Sequence, residues 1–140
     1  MEYSPACWAA YGEVLAREYS DPAYFQVHRL SVDAYAVQHP GRESPQAINS
    51  VAVHLIRLCL QLERQLTPEQ ANSAMVQATL NKGRYVWLEP PSSLGDVTVK
   101  DVWRAQNVEA HIEAVRRWAR SAWQAWISHH ATVRGWMPKT

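Results

Sequence analysis

Apolar residues recur every three or four positions from Trp8 through Tyr11 and Leu15 to Tyr19, with Glu13, Arg17 and Glu18 on the other face. That spacing predicts an amphipathic helix from Pro5 to about Tyr19. From Pro22 to about Gln38 the pattern is apolar nearly all round, with Leu30, Ala34 and Val37 on one side and Phe25, Val32, Tyr35 and Ala36 on the other. A helix of that kind packs on several faces, so this one is expected at the centre of the fold. A third helix, Pro45 to about Leu66, buries Ile48, Val51, Ala52, Leu55, Leu58, Cys59 and Leu62 and keeps Arg57, Gln61 and Arg64 wet. His54 falls on the margin of its stripe. The fourth, Pro68 to about Asn81, has a weaker edge of Ala71, Ala74, Met75, Ala78 and Leu80. A short helix from Thr98 through about Gln106 precedes a long last one, from about Asn107 to Arg134. The stripe of that last helix runs His111, Val115, Trp118, Ala122, Ala125, Trp126, His129 and Val133.

The boundaries have local causes. Ser4-Pro5, Asp21-Pro22, Ser44-Pro45 and Thr67-Pro68 each place a capping side chain before a proline, whose missing N–H costs nothing at the first helical position. Thr67 with Gln70 fits a capping box, and Thr98 with Asp101 offers a second capping arrangement. His39-Pro40-Gly41 ends the central helix and lets the chain reverse, Asn81-Lys82-Gly83 stops the fourth, and Gly135 stops the last. Glu89-Pro90-Pro91-Ser92-Ser93 and Gly95-Asp96 exclude helix, so an irregular loop is expected at about 83–98, pinned by Tyr85, Trp87 and Leu88. There is no internal repeat or low-complexity tract. The expectation is an all-α, single-domain bundle of four to five helices over residues 1–140.

Composition narrows the function classes. Fourteen Lys and Arg against thirteen Asp and Glu give a net charge of +1, too weak to draw the chain to nucleic acid or an anionic membrane by field alone. Two cysteines, Cys7 and Cys59, are too few for a disulfide framework, and no leader or long apolar run is present. A soluble, cytoplasmic protein is expected, with a small-molecule ligand or substrate as its partner and room for a homodimer. Seven tryptophans and six tyrosines against one phenylalanine mean that many buried rings need a partner for N–H or O–H. Cys59 reads as a small buried hydrophobe, and Arg116, Arg117 and Arg120 as a solvated face.

Helix arithmetic limits which histidines can meet. His28 and His39 share a face of the central helix but stand roughly 16 Å apart along it, and His111 and His129 about 27 Å apart if the last helix is unbroken. Counting from a turn centred between Gly41 and Arg42, His28 and His54 lie about 20 and 19 Å from it on adjacent antiparallel helices, which puts them level. Two imidazoles on axes about 8 to 10 Å apart can reach one ion, and a third ligand would come from His129, His130 or a carboxylate. A second cluster joins Cys7, in the first turn of the first helix, to His39. Asp33 points away from His28 and is expected to pair with Arg29 or to cap a neighbouring hydroxyl.

The run His28-Arg29-Leu30-Ser31-Val32-Asp33-Ala34-Tyr35-Ala36-Val37-Gln38-His39-Pro40, preceded by Ala16-Arg17-Glu18-Tyr19-Ser20-Asp21-Pro22-Ala23-Tyr24, resembles the signature of a small bacterial family grouped as a domain of unknown function. Cys7, His28, Asp33, Tyr35, Gln38, His39, His54 and Trp118 are the matching positions. The resemblance implies a Cys-Pro-x-Cys pair, half of a zinc site, ahead of Ala6-Cys7-Trp8, where this chain has Ser4-Pro5-Ala6-Cys7. A looser likeness, in helical content and scattered histidines, is to the DinB-like metal-dependent bundles. The leading expectation is thus a metal-binding bundle, with a divalent ion such as zinc on His28, His54, His129 and His130. An open position lined by Tyr24, Tyr35 and Trp126 would then serve hydrolysis or transfer. The alternative is a metal-free small-molecule-binding or interaction module with an aromatic pocket. A third reading is cysteine chemistry at Cys7 with His39 as base and Tyr35 nearby.

Overall fold

Capping chemistry opens the helices where the sequence places it. The computed structural model describes residues 5–79 and 84–137. Asp21 accepts from the Ala23 N–H at 2.9 Å, Ser44 Oγ from Ala47 N–H at 3.0 Å, and Thr67 and Gln70 exchange the two bonds of a capping box at 3.1 and 2.9 Å. Thr98 and Asp101 form another. The Ser4 cap and the Asn81-Lys82-Gly83 stop lie outside the described residues.

Eight α-helices follow among the described residues: α1 (Pro5–Ser20), α2 (Pro22–Phe25), α3 (His28–Gln38), α4 (Pro45–Leu62), α5 (Pro68–Thr79), α6 (Val99–Trp103), α7 (Val108–Ala125) and α8 (His130–Trp136). A 3-10 turn, Ile127–His129, joins the last two, and no described residue is in a strand. The all-α class holds, and the count exceeds four to five because two expected helices are each broken once and the short α6 counts as a helix of its own. Val27, at φ −107° and ψ 10°, interrupts the central helix, its N–H reaching Tyr24 O at only 3.5 Å. Trp126, at φ −93° and ψ 22°, interrupts the last one, and the 3-10 turn after it rotates the chain. His130, Val133 and Trp136 therefore carry the buried face onward, not His129.

The face of α1 also differs from its pattern. Trp8 and Tyr19 are 57% and 69% exposed, whereas Ala10, Val14 and Glu18 are buried. Small residues let α1 approach its neighbours closely, and the amphipathic rings of Trp8 and Tyr19 tolerate the rim.

α3 packs against α4 and α7, with α1 against α2 and α6, and α5 against α4. The two largest fully buried side chains, Trp118 and Trp126, sit in this core with their indole N–H groups satisfied. Trp118 donates to Gln38 Oε1 at 2.8 Å and Trp126 to Val37 O at 3.1 Å. Each such ring removes roughly 150–250 Å² from water, worth about 4–6 kcal/mol at 25 cal/mol per Å².

Gln38 also ties the irregular loop to the core, since its Nε2 donates to both Leu94 O and Val97 O at 2.9 Å. Beside it Gly95 turns through φ +108°, and a Cβ there would meet Ser121 Oγ at 2.7 Å. That hydroxyl accepts from the N–H groups of Asp96 and Val97. The loop is fastened to α7 through close backbone approach that only glycine permits.

Candidate functional site

The first turns of α3 carry His28 and Ser31 against the far end of α1, where Glu18 is fully buried. Three donors converge on its carboxylate. His28 Nδ1 lies 2.9 Å from Oε1, Ser31 Oγ 2.6 Å from Oε2, and His111 Nε2, on α7, 2.8 Å from Oε2. A carboxylate only accepts, so each of these atoms carries a hydrogen. Arg17 then settles the other side of His111, because its guanidinium can only donate and its NH1 stands 3.1 Å from His111 Nδ1. His111 is therefore neutral, with its proton on Nε2. The same guanidinium donates to Val102 O and Trp103 O at 3.1 Å, which fixes α6 to α1. A cation and an anion are thus joined through a neutral imidazole in the interior, an arrangement that compensates a buried charge with hydrogen bonds.

The network does not use the second ring nitrogen of His28. His28 uses Nδ1 on Glu18, so in the neutral ring Nε2 is an acceptor on the edge turned away from Glu18. His28 lines a cavity of about 280 Å³ together with Phe25, Arg29, Glu69 and Asn72. Its ring stacks on Phe25, centroids 4.8 Å apart at 15°, and lies 4.7 Å from Tyr19. Phe25 is 44% exposed, so one aromatic ring of the cavity wall stands partly open beside a buried, oriented imidazole.

The four histidines expected as ligands do not converge. His28 belongs to Glu18, while His54 Nδ1 donates to Ser50 O at 2.7 Å and its Nε2 stands 4.0 Å from Asp33. His129 donates to Glu89 O and His130 to Trp123 O, both at 2.8 Å, with His130 stacked on the Trp123 ring. No group of three or more His, Cys, Asp or Glu among the described residues could hold a metal ion. The level arithmetic fails because the 39–44 connection has length of its own: Asp33 engages Arg57 and Gln61, further along α4 than a tight reversal would allow. Asp33 thus pairs with Arg57, at 2.8 Å, and not with Arg29. Arg57 is drawn in from the wet face to 13% side-chain exposure. Burial pushes the Asp33 carboxyl up to about 6 against the pull of Arg57 and Gln61. Burial, with Arg57 and Arg29, pushes His54 down to about 4.

Tyr35 and His39 do come together, stacked at 4.0 Å, with Tyr11 on the opposite face of Tyr35 at 3.7 Å. His39 Nδ1 donates to Tyr35 O, and burial lowers its affinity for a second proton. The start of α1 lies at this end, with the Trp8 ring 6.4 Å from Tyr35 and Cys7 half-buried against the core. Tyr24 sits edge-on to His111 at 4.9 Å and so borders the Glu18 network, whereas Trp126 is fully enclosed and lines no open site.

Sequence reading missed Glu18, Arg17 and Ser31. The available signal was the four-residue line Ala10, Val14, Glu18, which puts a carboxylate on the narrow face of α1. His111 was placed in the core stripe and is there, 0% exposed.

Fold and site together define an all-helical protein in which a buried Glu with two His partners sits at the meeting of three helices. The chain belongs to the family described as Family of unknown function (DUF5946), whose model matches residues 1–127. No curated protein and no solved structure matches it.

Proposed function

We propose that this is a small-molecule-binding helical protein whose site is the cavity at the α2–α3 break, with His28 as the group that takes a hydrogen bond, or a proton, from the ligand. The single observation that supports it is the bond from His28 Nδ1 to the buried Glu18 carboxylate at 2.9 Å. A carboxylate behind an imidazole sets its tautomer and orientation, as a positioned hydrogen-bond acceptor or general base requires. Phe25, in the wall of that cavity and 44% exposed, offers a ring against which a planar, weakly polar body would pack. A zinc-dependent hydrolase would need further donors beside His28, and the separate partners of His54, His129 and His130 favour the metal-free reading.

Phenol, a planar ring with one O–H, is the test ligand. Titrated into the protein and followed by NMR, it is expected to shift His28, Phe25 and Asn72 in a saturable way, and His28→Ala is expected to abolish those shifts in a protein that still folds. No saturable shift at these residues, or shifts that persist in His28→Ala, would overturn the proposal.

A further inference from the structure

A second cavity, about 500 Å³, opens on the other side of the α2–α3 break and shares two wall residues, Gln26 and Pro68, with the first. Its lining includes Arg116 and Arg120, one turn apart on α7, and no Asp or Glu. Arg120 pairs with Glu113 at 3.9 Å with both side chains 59% exposed, a solvent-screened contact. Among the described residues Arg116 makes no ion pair. Gln26 and Gln61, also in the wall, spend amide N–H groups on Ala23 O and on Asp33, which leaves the two guanidiniums as the charged donors. In a chain of net charge +1 this is a local concentration of positive charge at a concave surface. Guanidiniums present paired N–H donors that match the oxygens of a carboxylate or phosphate. The one carboxylate in either lining, Glu69, is on the His28 side and is balanced there by Arg29, so the excess of positive charge belongs to the second cavity alone.

We infer that the ligand of the His28 site carries an oxyanion, a carboxylate or a phosphate, which seats between Arg116 and Arg120 while its planar body lies along Phe25. This rests on the His28 reading for the body of the ligand and on the arginine cavity for its charge.

Three probes separate the two parts: phenol, 4-hydroxybenzoate and 4-hydroxyphenyl phosphate, which share the ring O–H, titrated by NMR at low ionic strength. At least one anion is expected to bind tenfold or more tighter than phenol, and whichever of the two gains more identifies the carboxylate or phosphate source. The Arg116→Gln, Arg120→Gln double variant changes two exposed side chains. It is expected to bring that anion back to the affinity of phenol while leaving phenol binding and the melting temperature unchanged. The inference is overturned if phenol shifts His28 while both anions bind no more tightly, or if the double variant keeps the full anion advantage. Anion binding that depends on the arginines without any response of His28 to phenol would support the arginine site and overturn the His28 reading. Absence of binding by all three probes would overturn both.

Discussion

Glu18 Oε2 lies 2.8 Å from Nε2 of His111, a residue 93 positions further along the chain, with both side chains fully buried. The contact closes a polar network that also takes in His28 and Ser31, so α1, α3 and α7 are fastened at one point. Replacing Glu18 by Gln keeps the shape but turns one acceptor into an N–H facing other donors. Glu18→Gln is expected to destabilise the fold by about 3 kcal/mol, roughly 10 °C in melting temperature, because buried donors lose their acceptor. Urea unfolding checks this. Unaltered stability would mean that the network adds nothing.

Gln38 is the second fastening, between α3, α7 and the 91–98 loop. Gln38→Ala strands the Trp118 N–H and the Leu94 and Val97 carbonyls, and is expected to cost about 2–4 kcal/mol. Hydrogen exchange should speed up most at Asp96 and Val97, whose N–H groups rest on Ser121. Exchange there no faster than in the parent would contradict the role given to Gln38.

The pair His54 and Asp33 makes stability depend on pH in opposing directions. His54, lowered to about 4, contributes stability that is present above about 6.5 and is lost as pH falls toward 4. Asp33, raised to about 6, contributes stability that is present below about 3.8 and is lost as pH rises toward 6. Arg57 and Arg29 face both groups, and Ser50 holds the His54 ring. His54→Gln removes only the first effect, so the variant is expected to gain on the parent by up to about 3 kcal/mol between pH 6.5 and 4. Parallel unfolding series at several pH values read the difference, and a difference that does not change with pH would refute it.

Cys59 is 1% exposed, and burial beside Glu63 pushes its thiol up to about 12. Iodoacetamide at neutral pH is expected to leave Cys59 unmodified in the folded protein and to label it after denaturation, as mass spectrometry of the peptides would show. Native labelling of Cys59 would contradict its place in the core.

What could be read from the chain beforehand follows the range of the physics. Caps at Asp21, Ser44, Thr67 and Thr98 act within three residues, so helix starts were legible. The exposed face of α1 was misjudged because Trp8 and Tyr19 count as apolar in a periodicity yet are amphipathic at a rim. Glu18 was invisible as a site residue because its partners stand 10, 13 and 93 positions away. The breaks at Val27 and Trp126 carry no proline or glycine to announce them, and the second decides which of His129 and His130 turns inward. The α3–α4 register, on which the expected metal pair depended, was set by a connection whose geometry no local motif reports.

The most direct test of the account is the tautomeric state of two imidazoles, read by long-range ¹H–¹⁵N NMR of the neutral rings. Glu18 and Arg17 should hold His28 with its hydrogen on Nδ1 and His111 with its hydrogen on Nε2, and Glu18→Gln should disturb both. A His28 ring with its hydrogen on Nε2, or two rings indifferent to Glu18→Gln, would contradict the claim that a buried carboxylate orients His28 toward the cavity.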